Sequence, residues 1–181
     1  EYTLDGIVAA VGSQVSRFVK TIKPIPFPEN QEFDFEIDIK NSQILTDILM
    51  KDLFVDHNSK VNGSYSSQST TFNLEVVSPA INYKKMKVKN IDLDFKGSPS
   101  ESQLAFSVAN FNYKGFDIDS INLGNFYYND TLFYDLRWIL KDSIDSRTNL
   151  LGYAIQEDTT TYQFGIFESE FNVGLQKFKI L

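Results

Sequence analysis

The sequence predicts an all-β protein in which one N-terminal helix precedes a long series of antiparallel strands. After residue 28, apolar and polar side chains alternate through most of the chain, which is the pattern of strands buried on one face. The chain also carries 16 Phe, 9 Tyr and 1 Trp, residue types that favour strands and that disordered chains lack. Its 181 residues suffice for one domain.

Composition removes several classes of function. The net charge is −7, which argues against a nucleic-acid partner because phosphate binding needs clustered Lys and Arg. There is no Cys, so disulfides, thiolate metal sites and cysteine nucleophiles are excluded. The single histidine, His57, leaves no multi-histidine metal site and lies in the turn-like stretch Asp56-His57-Asn58-Ser59. Since no dinucleotide, phosphate-loop or zinc-protease motif occurs either, we expect a protein that is not an enzyme and has no cofactor and no metal.

The helix is expected over residues 4–22. Apolar residues recur there at spacings of three and four and form one stripe, which favours packing against the sheet. Arg17 and Lys20 are few basic residues for binding an anionic membrane surface. Three prolines over residues 24–28 then impose an extended segment. We therefore expect an amphipathic helix with a Pro-rich linker over 1–28 and a single β-domain over 29–181.

About ten to twelve strands follow the linker. Ser42 to Met50 interrupts them as a possible short helix with Ser42 as its N-cap. Pro79 is expected to end the fourth strand, because proline cannot donate to a sheet ladder. The alternating stretches lie at 33–39, 53–55, 61–65, 72–76, 86–95, 104–108, 111–113, 116–123, 132–140, 151–155, 162–166, 171–173 and 178–180.

Two strands carry the same one-residue slip in their alternation. The slip falls at Lys89-Asn90 and again, thirty residues later, at Asp119-Ser120. A slip of one residue inside an alternating strand predicts a β-bulge, which returns the apolar residues to their face after a bend. The thirty-residue spacing, together with an echo between Gly63 and Gly152, indicates repeated units that share one core.

The apolar face of so many strands has to be covered. A second sheet would make a sandwich, closure would make a barrel, and an open curved sheet would leave a trough. The predicted helix would be ~28 Å long at 1.5 Å per residue, enough to cover only part of the sheet. An open trough is therefore the favoured arrangement.

These strand patterns resemble the repeats of the TamB proteins, which belong to the AsmA-like envelope proteins of Gram-negative bacteria. The resemblance covers roughly residues 30–181. It lies in Met86–Phe95, in the repeat over Gly115–Leu123, in Asp130–Trp138 and in Tyr162–Ser169. The opening helix, the Pro-rich chain and the stretch Phe33–Ile37 are also similar to that family.

The resemblance implies a fold, a place and a role. The fold would be a long antiparallel sheet folded into an apolar trough, a β-taco or repeating β-groove, with one N-terminal amphipathic helix. The place would be the periplasm, in a protein anchored in the inner membrane by a helix outside this chain. The role would be carrying phospholipid between the inner and outer membranes. An outer-membrane barrel of the TamA/Omp85 type would be its partner in outer-membrane assembly.

The lining of the trough can be assigned from the alternation. Acyl chains gain ~0.8 kcal/mol per buried CH₂ on a surface of this kind, without directional contacts that would hold them in place. The residues expected to contact phospholipid acyl chains are Phe35, Ile37, Phe72, Leu74, Val88, Ile91, Leu93, Leu104, Phe106, Ile118, Ile121, Leu136, Trp138, Phe164 and Ile166.

Two other functions compete with lipid transport. One is a structural or interaction module that binds protein partners, or nascent outer-membrane strands, through its sheet edges. The other is a closed transmembrane barrel or an enzyme scaffold, which the mid-strand position of many aromatic residues disfavours.

No apolar run in the sequence reaches the ~18–20 residues of a membrane-spanning helix. The chain stops inside an alternating stretch, at Phe178 and Ile180. We therefore expect a piece of a longer protein.

Overall fold

The computed structural model describes residues 12, 31–43, 51–98, 100–140, 147–158, 161–173 and 176–181. All the regular elements bounded within these residues are β-strands, and none of these residues belongs to a helix with the length and hydropathy of a membrane span. The strands are β1 (Glu32–Ile39), β2 (Leu53–Val55), β3 (Ser59–Ser66), β4 (Thr71–Tyr83), β5 (Met86–Gly97), β6 (Glu101–Tyr113), β7 (Phe116–Tyr128), β8 (Thr131–Leu140), β9 (Arg147–Gln156), β10 (Tyr162–Ile166), β11 (Ser169–Val173) and β12 (Gln176–Ile180).

All twelve strands form one open, curved antiparallel sheet, which confirms the predicted fold class. The main path runs β1-β3-β4-β5-β6-β7-β8-β9-β11-β12. β2 and β3 pair with successive parts of the same edge of β4, and β10 and β11 pair with successive parts of the same edge of β9. Each of these two pairs therefore takes the place of one interrupted strand. The chain exposes 11817 Å². A compact protein of 20.7 kDa would expose about 8,900 Å².

Tight hairpin turns join the long central strands. Lys114 (φ 51°) and Gly115 (φ 87°) connect β6 to β7, and Asn129 (φ 49°) and Asp130 (φ 59°) connect β7 to β8. Two consecutive positive φ angles define the turn whose twist matches that of the flanking strands, and Asn, Asp and Gly tolerate it best. Neighbouring strands are therefore sequence neighbours through most of the sheet.

A line of irregular positions crosses the central strands. Pairing skips Pro79 of β4 opposite Asn90 of β5, and it resumes beyond them in the same register. Asn90 adopts φ 50°, and Val88 and Ile91 on either side of it are both buried although they lie three positions apart and not two. In each of β4, β5, β6 and β7 one extra residue interrupts the alternation, and these interruptions lie side by side across the sheet. The apolar residues of all four strands therefore return to the same face beyond them.

The slip at Asp119 ends this series. β8 has no extra residue, so the pairing of β7 with β8 shifts register between Ile118 and Ser120, which confirms the β-bulge predicted there. At Asn90 the prediction needs correction, because the matching irregularities in β4 and β6 preserve the register on both sides.

Two strand boundaries also differ from the prediction. β4 does not end before Pro79 but continues to Tyr83, because the proline falls on the irregular line, where no ladder pair forms. The stretches predicted separately at 104–108 and 111–113 form one strand, β6, which crosses the same line. The predicted helix over 4–22, apart from Gly12, the Pro-rich linker, and residues 44–50 of the predicted short helix lie outside the described residues.

Candidate functional site

All fifteen residues predicted to line the trough lie on one face of the sheet. Cross-strand register places them in five rows that run across the strands, because residues directly opposite one another point to the same side. One such row runs Ile37, Val61, Val76, Leu93, Phe106, Leu123, Leu136 and Leu150. We call this side the apolar face. Whether it contacts lipid stays a prediction.

The N-terminal part of the apolar face is an aromatic cluster. Tyr65 and Phe72 are each 2% exposed, and Phe33, Phe35, Leu74 and Phe95 pack around them. The ring centroids of Phe33 and Tyr65 lie 5.4 Å apart, and those of Phe72 and Phe95 lie 6.1 Å apart. Burial raises the pKa of the Tyr65 hydroxyl above its ordinary value because the charged phenolate is poorly solvated there. This end therefore behaves as a hydrophobic core.

The buried residues at the centre of the apolar face are aliphatic. Val88, Ile91 and Val108 are buried, and Ile81, Met86, Phe106, Phe111 and Ile121 pack against them. The cluster spans the irregular line, so the skipped pairs do not interrupt the apolar surface.

The C-terminal end of the apolar face is open. Phe164 is 68% exposed and Ile166 is 48% exposed, on the short strand β10. Tyr162 stacks on Phe164 with ring centroids 6.2 Å apart, while Leu136 and Trp138 on β8 are half-buried. Of the fifteen predicted residues, Phe72, Val88 and Ile91 are core, Ile37, Phe164 and Ile166 are exposed, and the other nine are half-buried. An apolar ligand would therefore meet the face first at its exposed ends.

The opposite face is polar over strands β1 to β6. Lys96 lies 3.1 Å from Asp94, and Lys40 lies 3.0 Å from Asp38. A shallow depression on this side is lined by carboxylates and amides, among them Asp34, Glu75 and Asn73. These charges keep this side of the sheet in water.

One row of the same face is aromatic over strands β7 to β9, which the sequence analysis did not predict, although Asp135 and Arg137 keep the neighbouring rows charged. Phe126 pairs across strands with Phe133, and Phe133 pairs with Tyr153. The rings of Tyr153 and Phe167 lie 5.6 Å apart. We call these four residues the reverse-face patch. Its signal in the sequence is consecutive apolar residues, such as Leu132-Phe133-Tyr134, in place of alternation.

His57 has the position of a turn residue. Its side chain is exposed, with Nδ1 3.5 Å from Asp56 and Nε2 3.1 Å from the amide of Asn58. Within the described part of the chain, no three His, Asp or Glu side chains form a group able to hold a metal ion.

Comparisons of the chain with protein-family models, with curated proteins and with solved structures gave no match.

Proposed function

We propose that this chain is a segment of a periplasm-spanning protein whose apolar face carries phospholipid acyl chains between the inner and outer membranes. The observation that carries the proposal is the continuity of that face across the sheet: three of its five rows reach from β1 to β9, and two of these continue into β10. Catalysis is not part of the proposal.

The dimensions of the sheet suit an acyl chain. Its main path has ten strand positions, so at ~4.8 Å per spacing the face is about 43 Å wide. The hydrocarbon of one bilayer leaflet is ~15 Å thick, half of the whole core. An acyl chain can therefore lie along a row without leaving the apolar surface, and each buried CH₂ contributes ~0.8 kcal/mol.

The cellular setting in this proposal rests on the resemblance of the strand repeats to TamB-type envelope proteins. On that basis the whole protein would be anchored in the inner membrane by a segment outside this chain. It would act with an outer-membrane barrel of the TamA/Omp85 type in outer-membrane assembly. Fractionation of cells would test the inner-membrane anchor.

A pair of matched variants tests lipid binding. Phe164→Asp/Ile166→Asp places two carboxylates on the open end of the apolar face. Phe126→Asp/Phe133→Asp places two on the reverse-face patch, where the wild-type rings are 41% and 39% exposed. Native mass spectrometry with lipid extraction should find phospholipid on the wild type and the second variant, and much less on the first. Circular dichroism should show that both variants fold.

A second candidate function is an interaction module that binds protein partners, or nascent outer-membrane strands, without transporting lipid. The outer edges of β1 and β12 favour it, because neither edge pairs with another described strand. If the wild type carries no phospholipid and takes up none from vesicles, lipid transport is overturned and this candidate stands.

A further inference from the structure

Two hairpin turns at the same end of the sheet repeat one sequence pattern. The turn between β4 and β5 reads Tyr83-Lys84-Lys85-Met86, and the turn between β6 and β7 reads Tyr113-Lys114-Gly115-Phe116. They lie thirty residues apart, the spacing that also relates the slipped strands. Each hairpin therefore ends in a tyrosine, at least one lysine and a larger apolar side chain.

The lysines at this end of the sheet are accessible. Asp117 is the one acidic residue over 83–89 and 113–117, and it accepts a hydrogen bond from the amide of Asn112. Asp52 lies at the same end beside β2, where Lys51 precedes it. Five lysines in or next to the two turns are exposed and form no ion pair within the described part of the chain: Lys84, Lys85, Lys87, Lys89 and Lys114.

The turns at the other end of the sheet carry no basic residue at their described positions. Residues 67–70 join β3 to β4 with Ser, Gln and Thr, and Asn129 and Asp130 join β7 to β8. Glu101 at the start of β6 and Asp158 after β9 add carboxylates there. The sheet is therefore basic at one end of its strands and neutral to acidic at the other.

The backbone of the two turns favours a role for the lysine charge. Lys84 adopts φ 52° and Lys114 adopts φ 51°, in the left-handed region that Asn, Asp and Gly tolerate best. Asn129 occupies the same region, at φ 49°, in the turn between β7 and β8. Turn stability alone would favour Asn at all three positions, so it does not account for lysine at two of them.

The apolar face reaches the same end of the sheet. Phe116 is 57% exposed and Tyr113 is 45% exposed. Nζ of Lys84 lies 5.0 Å from the centroid of the Tyr83 ring, and Nζ of Lys114 lies 5.1 Å from that of Tyr113. Cross-strand pairing sets the last row of the apolar face in line: Leu53, Tyr83, Met86, Tyr113 and Phe116. We call this row together with the five lysines the basic rim.

The composition and shape of the basic rim fit a membrane surface. Lysine attracts anionic headgroups, and aromatic side chains prefer the boundary between headgroups and acyl chains. A bilayer would touch only the ends of the hairpins. A nucleic acid needs a basic groove that follows its backbone, and the net charge of −7 opposes its approach beyond the rim.

We propose that the basic rim docks on the surface of an anionic bilayer, with its lysines at the lipid phosphates and with Tyr113 and Phe116 in the interface. The strands then point away from the bilayer, and the apolar face opens onto it. Docking requires no acyl chain on the apolar face, so the inference does not depend on lipid transport.

Flotation of the full chain with vesicles tests the docking. The wild type should float with phosphatidylcholine vesicles that contain phosphatidylglycerol and much less with phosphatidylcholine alone, and added salt should weaken its binding. Lys84→Asn/Lys85→Gln/Lys114→Asn should lower the partition coefficient at least roughly tenfold. Asn tolerates the positive φ of both turns, so this variant should fold.

Two controls separate docking from overall charge and from lipid transport. Lys40→Gln/Lys60→Gln/Lys96→Gln removes the same charge from residues away from the rim and should float as the wild type does. Phe164→Asp/Ile166→Asp should still float even where it loses bound phospholipid, so the two proposals fail separately. Urea unfolding checks that every variant folds.

A single tryptophan reports which end of the sheet meets the bilayer. In a Trp138→Phe background, which removes the one natural tryptophan, the fluorescence of Phe116→Trp should shift to shorter wavelength on the anionic vesicles. Tyr128→Trp, at the opposite end and 47% exposed in the wild type, should not shift. Equal shifts, a rim variant that floats like the wild type, equal binding to neutral vesicles, or a wild type that binds duplex DNA in preference to vesicles would each overturn the inference.

Discussion

The ring of Phe35 lies directly over Gly63 of the neighbouring strand, where a Cβ atom would fall 2.2 Å from Cζ of the ring. The same relationship occurs between Tyr134 and Gly152 and between Tyr153 and Gly165, and in each case the two residues are direct cross-strand partners. An aromatic ring laid over a glycine covers backbone that would otherwise be exposed, which offsets the intrinsic cost of glycine in a strand.

Gly152→Ala should be the most destabilising of the glycine substitutions. The added Cβ would fall 2.4 Å from the carbonyl oxygen of Gly165, which is backbone and cannot rotate away, and 2.4 Å from the hydroxyl of Tyr134. Overpacking of this kind costs about 1–3 kcal/mol. Urea unfolding monitored by circular dichroism would measure the loss.

Gly124→Ala is the matched control, because it lies in the interior of β7 with no atom within 4 Å of the added Cβ. There the substitution should leave stability unchanged or raise it by up to about 1 kcal/mol, since alanine loses less conformational entropy on folding. Equal losses at the two positions would contradict the role of the ring and the carbonyl.

Asn90 should tolerate glycine but not valine. Its φ of 50° lies in the left-handed region, which Asn and Gly adopt and which a β-branched residue adopts only with strain. Asn90→Val should cost about 1–2 kcal/mol, and Asn90→Gly should have little effect. Asn122→Val, on an exposed and extended position of β7, is the comparison in which valine should be harmless. Denaturant unfolding of the three variants decides the point.

The sequence predicted the face of each residue better than its burial. A period of two assigns Phe72 and Phe164 to the same side, and the register confirms that assignment. Phe72 is 2% exposed and Phe164 is 68% exposed, because burial depends on what packs over a residue and not on its own strand. Core and accessible surface therefore could not be separated from alternation alone.

The irregular line shows a second limit. Pro79 looked like the end of a strand, and the break at Ala109-Asn110 looked like the end of another. Both positions face irregular positions of neighbouring strands, so the strands continue past them. The alignment of irregular positions depends on how four strands pair with one another, so it cannot be predicted from the sequence of any one strand.

The buried hydroxyls of Ser59 and Ser78 should be energetically coupled. They lie 2.6 Å apart beside the interruption between β2 and β3, and Ser78 donates to the carbonyl of Ala80, so Ser59 must donate to Ser78. Ser78→Ala leaves the Ser59 hydroxyl without that acceptor and should cost about 1–3 kcal/mol. Ser59→Ala should cost less, about 0.5–1.5 kcal/mol, because Ser78 keeps its own acceptor. A double-mutant cycle measures the coupling, and strictly additive losses would refute it.

The ion pairs of the β11–β12 hairpin should set opposite pH limits on its stability. The hydrogen bond from Lys177 lowers the pKa of Glu170 below its ordinary value of 4.5, and the hydrogen bond to Glu168 raises the pKa of Lys179 above 10.5. The first contribution is present above pH 4.5 and is lost as pH falls through the lowered pKa; the second is present below pH 10.5 and is lost as pH rises through the raised pKa. The hairpin should therefore keep both contributions between about pH 5 and 10.

Lys177→Met should return the pKa of Glu170 toward its ordinary value in an NMR titration of the carboxyl carbon. Lys60→Met removes a lysine from β3, near the opposite edge of the sheet, and should leave the pKa of Glu170 unchanged. A similar change in both variants would mean that overall charge, and not the pairing with Lys177, controls that carboxylate.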